Sequence, residues 1–301
     1  MTSALKAIVS LVAASVIWGL SSIYYGQLTH VPPLEVLCHR TLWSAVLFCA
    51  VIAMQGRAGE LRQAMTNRKQ APMIFGAAIM IALNWFGFIF SISNGHAVEA
   101  SLGYYIFPMV AVLLGRVLLA ERLTAGQMRA IAVAVVGVVV LAIGLGVAPW
   151  IALWLAGTFG GYGVLKRKLG LGPVLSVTAE VAFLAPLAAM WLLARGHWDH
   201  DAGTWALLVF SGPLTAIPLI LFSSAARQVR LSTVGLVQYV NPTIQFFVAT
   251  LFFREPFSRW HAVAFVLIWV AVALYSRDSI RQDRAARKRA SSAGTSGTTV
   301  T

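Results

Sequence analysis

Ten long apolar segments dominate this chain and limit the folds that it can adopt. Most of them reach the length of about 20 residues that a helix needs to cross a bilayer. They are continuous rather than alternating in polarity, which favours helices, whose backbone groups are all paired within the segment. The segments span residues 5–27, 34–54, 71–93, 98–119, 128–147, 150–165, 173–194, 204–225, 232–253 and 260–276.

The composition supports an integral membrane protein. Hydrophobic residues make up 59% of the 301 residues and charged residues only 11%, which is about half the charged share of soluble domains. The formal net charge of +13 first suggests a nucleic-acid partner. However, the basic residues lie between apolar segments and at the C-terminus, as orientation signals do, and not on one face of a folded domain. We therefore expect contact with a lipid bilayer and no nucleic-acid partner.

The distribution of Lys and Arg predicts the orientation. The side that holds the N-terminus carries most of them, whereas the opposite side carries only Arg195, Arg254 and Arg259. The positive-inside rule then places both termini in the cytoplasm. The apolar run after Lys6 continues to Tyr25, longer than a typical signal-peptide core, so we expect it to be retained as the first span.

Two stretches, residues 99–121 and 231–255, share one plan. Such a match indicates an internal duplication, although Ser, Gly and Pro are also common in packed membrane helices for other reasons. Pro and Glu are equally spaced in the two copies. The matching residues are Ser101, Gly103, Pro108 and Glu121 in the first, and Thr233, Gly235, Pro242 and Glu255 in the second.

The duplication predicts an all-α polytopic protein with ten transmembrane helices in two inverted five-helix repeats. An odd number of spans per repeat makes the second copy start on the opposite side of the membrane. We expect residues 1–147 to form the first repeat, residues 150–276 the second, and residues 277–301 a basic and then disordered cytoplasmic tail. Secondary transporters have this architecture, with the substrate path at the repeat interface.

A second pair of positions agrees with the inversion. Pro33 and Pro173 open the second and seventh segments, and each is followed at the same distance by a charged residue, Arg40 or Glu180. Under the proposed symmetry, Arg40 lies in the outer half of the membrane and Glu180 in the inner half. Chance is the alternative, because Pro is generally enriched at first helical positions.

A set of short motifs extends over the chain up to about residue 280. They are Ile17-Trp18-Gly19, Glu35-x-x-x-His39-Arg40-x-x-Trp43-Ser44, Asn84-Trp85, Glu99-Ala100-Ser101-Leu102-Gly103-Tyr104, Glu180, Leu231-Ser232-Thr233 and Gln238-Tyr239. Together they resemble the RarD-like branch of the EamA drug/metabolite transporter superfamily. The resemblance implies a ten-helix inner-membrane carrier of small metabolites or drugs. Phe107 departs from the pattern, since a polar residue such as Asn is expected before Pro108.

Ionisable side chains inside the spans are candidates for coupling or gating, because a charge in hydrocarbon costs several kcal/mol. Four qualify: Glu35, His39, Arg40 and Glu180. Glu35 and His39 share one helical face, and a His that titrates near neutrality would suit proton coupling. Alternatively, Glu35 complements the helix dipole and Arg40 forms a structural ion pair.

Uncharged polar and aromatic side chains at mid-depth are candidates for the substrate path. Amides offer donors and acceptors, and aromatic faces suit flat or cationic ligands. Helix–helix hydrogen bonding is the alternative role for such residues. The candidates are Trp18, Asn84, Trp85, Tyr104, Tyr105, Gln238, Tyr239, Asn241 and Gln245.

Several function classes find no support in the sequence. No nucleotide-binding loop of the form G-x-x-x-x-G-K-[ST] is present, so energy for transport must come from a gradient. Cys38 and Cys49 lie in one predicted helix, roughly 16 Å apart and too far for a disulfide. We expect no metal site and no cofactor. Glu99 is interpreted as a helix cap, and Glu121 and Glu255 as interface anchors.

The sequence thus favours a secondary transporter that moves a small molecule by alternating access. We expect an exporter, and proton coupling is compatible with the titratable residues. A non-transporting membrane receptor or an intramembrane enzyme is the alternative from another class, and a lipid flippase is a variant of the first. Ten helices make a monomer sufficient, and a dimer is compatible with the sequence.

Overall fold

The computed structural model describes residues 3–119, 123–146, 149–226, 228, 234 and 237–295. These residues form helices and connections, with no β-strand among them. The helices are α1 (Ser3–Gly26), α2 (Pro33–Met54), α3 (Ala58–Thr66), α4 (Ala71–Ser93), α5 (Ala97–Leu119), α6 (Ala125–Leu145), α7 (Trp150–Leu169), α8 (Pro173–Arg195), α9 (Ala202–Ala226), α10 (Val240–Phe247, continued by a π-helical turn, Val248–Phe252) and α11 (Arg259–Thr295).

The chain is an all-α polytopic membrane protein. In the described part, 8 helices are long and apolar enough to cross a membrane: α1, α2, α4, α5, α6, α8, α9 and α11. The apolar segment Val240–Phe252 is shorter, and α7 carries Lys166 near its C-terminal end. Both pack among the eight longer helices, which completes the expected set of ten.

Two elements differ from the sequence-based expectation. Helix α3 lies in a connection for which no helix is predicted, because it has only 9 residues and few of them are apolar. Its Ala64 is nevertheless buried, with Leu61 and Met65 packed beside it. Helix α11 continues past residue 276 and ends at Thr295, inside the segment 277–301 that the sequence predicts to be a basic and then disordered tail. The last residues of the predicted tail lie outside the described part.

Local sequence signals explain where several helices begin and end. Thr124 caps α6 in a reciprocal capping box with Gln127, which satisfies two backbone N–H groups. Gly146 and Gly170 end α6 and α7 in the left-handed conformation, with φ values of 68° and 61°, which Gly adopts without steric cost. Pro is the first residue of both α2 and α8.

Helices pack mainly against helices of the other repeat. Helix α1 packs on α9 and α10, and its counterpart in the second repeat, α7, packs on α4 and α5. The equivalent helices α2 and α8 contact each other, as do α6 and α11. This reciprocal pattern is the one expected of a two-fold relation between repeats, and it brings both halves around one interior space.

Contacts between connections define two sides of the bundle. We refer to the side at which α1 begins as the near side and to the side at which it ends as the far side. On the far side, His30 Nε2 and Thr204 Oγ1 are 3.0 Å apart, and Glu255 accepts hydrogen bonds from the first N–H groups of α5. On the near side, Thr124 Oγ1 donates to Asp278 Oδ2 at 2.5 Å. These pairs agree with spans that alternate in direction.

The apolar core is denser on the far side. One large cluster joins the far ends of the spans and contains Leu28, Val36, Ile92 and Val98. On the near side the packing is divided. One cluster joins α3, α4, α7 and α8, a second joins α2, α8 and α9, and a third joins the beginning of α1 to the end of α9. The far side is therefore closed by one large cluster, while the near side is held by several smaller ones.

Candidate functional site

A cavity of about 400 Å³ lies between the two repeats. Residues of α1, α2, α4 and α5 line it from the first repeat, and residues of α7 to α10 line it from the second. The lining extends from Tyr25 and Arg40, in the far half of the bundle, to Lys166 and Pro173, at the near ends of α7 and α8. The cavity thus begins below the far-side core and reaches the near side.

Two prolines at matched positions of the repeats belong to the lining of this space. Pro108 of α5 and Pro242 of α10 both line the cavity. Helix α5 continues through Pro108 to Leu119, and α10 passes into a π-helical turn after Phe247. Among the other matched positions, Thr233 and Gly235 of the second copy and Glu121 of the first lie outside the described residues.

Nearly all of the predicted substrate-path residues lie in the cavity wall. These are Trp18, Asn84, Trp85, Tyr104, Gln238, Tyr239, Asn241 and Gln245.

Tyr105 is the exception among these candidates. It is only 2% exposed, its hydroxyl is 2.6 Å from Thr243 Oγ1, and its ring packs edge-on against Phe265. Consecutive helical residues point in directions about 100° apart, so Tyr104 and Tyr105 do not both face the cavity. The sequence-based placement of Tyr105 is therefore corrected.

Asn84 forms its hydrogen bonds with neighbouring helices of the cavity wall. Its Nδ2 donates to Leu155 O at 3.0 Å and to Thr158 Oγ1 at 3.2 Å. Its Oδ1 accepts from the Tyr104 hydroxyl at 3.0 Å. This buried amide uses both kinds of hydrogen-bonding group to hold α4, α5 and α7 together, which is the helix–helix role that polar membrane residues often have.

Helix α10 presents polar atoms that have fewer partners. Gln245 Nε2 donates to Asn241 Oδ1 at 3.0 Å. Gln245 Oε1 and the Tyr239 hydroxyl are buried and have no hydrogen-bond partner in the described part of the chain. A buried polar atom without a partner is unfavourable, so these two atoms are suited to bind a polar group of a molecule in the cavity.

Arg40 brings a positive charge to the far half of the cavity. The residue is only 7% exposed, and its guanidinium carbon lies 4.3 Å from the ring centroid of Trp85 and 5.6 Å from that of Tyr25. Its Nε has no hydrogen-bond partner among the described residues. None of the ion pairs formed by described residues includes Arg40, so the structural ion pair considered from the sequence is not found there.

Glu180 stands behind the near half of the cavity wall. It is fully buried, and its carboxylate accepts from Lys166 Nζ at 2.6 Å, from the Tyr162 hydroxyl at 3.0 Å and from Ser176 Oγ at 2.9 Å. Lys166 and Tyr162 both line the cavity. Glu180 thus acts on the cavity through its partners, and it neutralises the charge of Lys166.

Sequence reasoning missed Lys166 because it belongs to a basic run, Lys166-Arg167-Lys168, that reads as an orientation signal. The available clue was its position four residues after Tyr162 on α7, which places the two side chains on one face of that helix.

Glu35 belongs to a cluster on the far side, formed with His197 and His200 of the α8–α9 connection. Its Oε2 is 2.7 Å from His197 Nδ1, its Oε1 is 2.7 Å from His200 Nε2, and the His197 backbone N–H donates to Oε1 at 3.2 Å. The hydrogen bond to this carboxylate raises the pKa of His197 above its ordinary value. We refer to these three residues as the far-side cluster.

His39 does not share the contacts of Glu35, although the two lie on one helical face. Its ring packs edge-on against Trp205, with 5.3 Å between centroids, and its Nε2 has no hydrogen-bond partner within the described ranges. Neither residue is part of the cavity lining. Glu35 is therefore paired with the two loop histidines, and its shared helical face with His39 brings no hydrogen bond between these two side chains in the described part of the chain.

The cavity wall is aromatic and carries a single net charge. Phe107 and Phe159 line it with their ring centroids 4.8 Å apart. The charged residues of the lining are Arg40 and Lys166, and Lys166 is balanced by Glu180, which leaves one positive charge. No group of three or more metal-ligating side chains comes together in the described residues. The arrangement is suited to binding a largely apolar molecule.

Comparison with known proteins gives the same picture for both halves. Residues 5–143 and residues 148–277 each match the model of the EamA-like transporter family. The protein called RarD of Streptomyces exfoliatus is 41% identical over 281 residues, which are 90% of this chain and 88% of that protein. RarD of Escherichia coli (strain K12) is 34% identical over 282 residues, or 92% and 95% of the two chains.

A third relative carries a transporter name of its own. The uncharacterized transporter YojE of Bacillus subtilis (strain 168) is 37% identical over 290 residues, which cover 94% of this chain and 97% of YojE. A protein of known crystal structure superposes with a TM-score of 0.60 over 89% of this chain and 96% of its own, at 17% sequence identity. That superposition supports the fold alone.

Proposed function

Since this chain belongs to the EamA-like transporter family, in its RarD-like branch, we propose that it exports small metabolites or drugs across the inner membrane by alternating access. Membrane transport of the drug/metabolite type follows from the family. Export, alternating access and coupling to a proton gradient are our proposals.

The cavity between the two repeats carries the proposal. It extends to the near side and is separated from the far side by the large apolar cluster. Lys and Arg are concentrated on the near side, which makes this the cytoplasmic side under the positive-inside rule. A binding space that is accessible from the cytoplasm and closed on the outside is the loading state of an exporter.

The inverted relation between the repeats provides a second state, which is open on the far side and closed on the near side. In such proteins one half rocks against the other, and the path closes on one side as it opens on the other. In this chain, opening would break the far-side contacts, including the pairing of Glu35 with His197 and His200. Closing would bring the near-side helix ends together, where the apolar packing is divided among smaller clusters.

A proton gradient is the energy source that we propose. The chain has no nucleotide-binding loop, so a gradient must drive net export. Titratable groups lie where a change of state would act on them. The buried Glu180 and the partly exposed Lys166 form a pair at the near half of the cavity, and the far-side cluster joins the repeats at the other end.

Transport by purified protein in proteoliposomes tests the proposal. Vesicles with and without an imposed proton gradient are assayed with a panel of amino acids, nucleosides and amphipathic drugs. We expect at least one compound to move, and we expect a protonophore to abolish its accumulation. Orientation-selected vesicles then report direction. Failure to move any compound would count against the transporter, whereas movement unaffected by the gradient would remove only the coupling.

A further inference from the structure

We propose that Arg40 and the face of Trp85 form an anion-binding subsite, and that the cargo is a monocarboxylate with a planar, apolar body. This inference rests on the proposed transport function. Binding can nevertheless be measured without transport, so the two can fail separately.

The positive charge of Arg40 has no carboxylate partner among the described residues. A buried charge is normally paired or hydrogen-bonded, and ionisable side chains inside a membrane-spanning bundle are normally paired in the same way. The buried carboxylates among the described residues are Glu35 and Glu180. Glu35 is bonded to His197 and His200, and Glu180 is bonded to Lys166. Both are engaged elsewhere, which leaves Arg40 open to a counter-charge from a molecule in the cavity.

Two aromatic rings hold the guanidinium of Arg40 in place. Its guanidinium lies 4.3 Å from the Trp85 ring centroid and 5.6 Å from that of Tyr25. Contact with aromatic faces stabilises the cation without a counter-charge. Its Nε makes no hydrogen bond in the described part, and the residue lines the cavity. A guanidinium that is held in place but has no carboxylate partner is what a preformed anion site requires.

The anion that suits Arg40 is a monocarboxylate. A guanidinium presents a planar set of donors that matches a carboxylate in two parallel hydrogen bonds. The cavity lining carries one uncompensated positive charge, because Glu180 neutralises Lys166. A monoanion therefore leaves the cavity neutral. A dianion would leave a negative charge uncompensated within the bundle, which is unfavourable there.

The size and lining of the cavity favour a flat, apolar body for the rest of the cargo. A cavity of about 400 Å³ is near the lower end of small-molecule sites. Its wall is rich in rings, including Trp18, Phe107 and Phe159, which favour a flat apolar body. Gln245 Oε1 and the Tyr239 hydroxyl add unbonded polar atoms on α10, which can bind a donor group on that body.

Three probes of matched size separate charge from shape: 3-phenylpropionate, 3-phenylpropanamide and 3-phenylpropylamine. Binding to the purified wild-type protein is measured by isothermal titration calorimetry. We expect the carboxylate to bind about tenfold to hundredfold more tightly than the amide or the amine, as a charge-assisted hydrogen bond would give. In Arg40→Gln the preference for carboxylate over amide is lost, and in Arg40→Lys it is partly retained.

The matched control is Arg62→Gln, which removes the same charge from the exposed side of α3 and should leave the preference unchanged. The proposal is overturned if the wild type binds the amide or amine as well as the carboxylate, if it binds none of the three, or if Arg40→Gln keeps the preference. Should Arg40→Gln fail to fold, the wild-type selectivity decides alone. Transport of neutral or cationic compounds only would overturn this inference while sparing the transporter.

Discussion

The carboxylate of Glu35 and the ring of His197 meet across the two repeats, with 2.7 Å between Oε2 and Nδ1. The Glu35 side chain is fully buried, whereas 58% of the His197 side chain is exposed. The charge of a buried group at the start of α2 is thus balanced by a group that exchanges protons freely with solvent. The far-side contact between the repeats therefore depends on the pH of that compartment.

We predict that the contribution of His197 to stability decreases as pH rises. The hydrogen bond to Glu35 raises the pKa of His197 above 6.5 on folding. A raised pKa gives stability that is fully present below the unfolded value and is lost as pH rises through the folded value. The melting temperature of the wild type should exceed that of His197→Gln at about pH 5.5, and the difference should shrink by about pH 9.

The exposed pair of Arg57 and Glu60, which is 2.9 Å apart on the near side, supplies the control for this measurement. Glu60→Gln should change the melting temperature little at either pH, since exposed ion pairs contribute little. A wild-type advantage over His197→Gln that grows with pH would contradict the assigned role of the protonated ring.

The sequence predicts the fold class well because its signals are strong and local. Apolar segments of span length and the positions of Pro33 and Pro173 determine where most helices lie. Weak local signals explain the misses. Helix α3 is too short to give a span signal, and the end of α11 lies in a polar segment that the structure nevertheless continues as helix.

The candidate site is harder to predict, because depth along a helix does not give direction around it. Tyr104 and Tyr105 are adjacent and equally deep, yet only Tyr104 lines the cavity. The hydrogen-bond partner of a side chain also cannot be predicted when it is distant in sequence. The partners of Glu35 lie in the connection after α8, so they cannot be inferred from the neighbouring His39. Lys166 is hidden by its basic neighbours, although it forms the closest contact of Glu180.

We predict that removing Lys166 is more harmful than removing the whole pair. Lys166→Met leaves the Glu180 carboxylate buried with only hydroxyl partners, and loss of one member of a buried pair costs about 3 to 5 kcal/mol. The double variant Lys166→Met/Glu180→Gln removes the orphaned charge, so it should be more stable than the single one. Unfolding of the wild type, Lys166→Met, Glu180→Gln and the double variant in a denaturing detergent series gives the four free energies of the double-mutant cycle. Additive effects would show that the two residues are not coupled.

We predict that Glu255 stabilises the start of α5. Its Oε1 and Oε2 accept the backbone N–H groups of Ala97 and Val98 at 2.7 and 2.8 Å, which otherwise have no partner within the helix. Glu255→Ala should lower the free energy of unfolding by about 1 to 2 kcal/mol. Glu255→Gln should cost less, because an amide oxygen still accepts one bond. Equal effects of Ala and Gln would argue against this capping role.

We predict that Gly103 cannot be replaced by Ala without separating α5 from α7. A Cβ built at Gly103 comes within 2.8 Å of Ala152 O and 3.1 Å of its Cα, and backbone atoms of a packed helix cannot move aside singly. Overpacking of this kind costs about 1 to 3 kcal/mol. Gly163 is a matched control on α7, because a Cβ there meets nothing within 4 Å. Gly163→Ala should be neutral or stabilising by about 0.5 to 1 kcal/mol.

The two glycine variants also test how the cavity wall is held. Tyr104 follows Gly103 on α5, and its hydroxyl bonds Asn84, which in turn bonds Leu155 O on α7. If Gly103→Ala moves α5 away from α7, this chain of hydrogen bonds lengthens and transport falls together with the melting temperature. Gly163→Ala leaves the chain intact and should keep both. If Gly103→Ala matches Gly163→Ala in both measurements, the close approach of α5 and α7 is not what holds this wall in place.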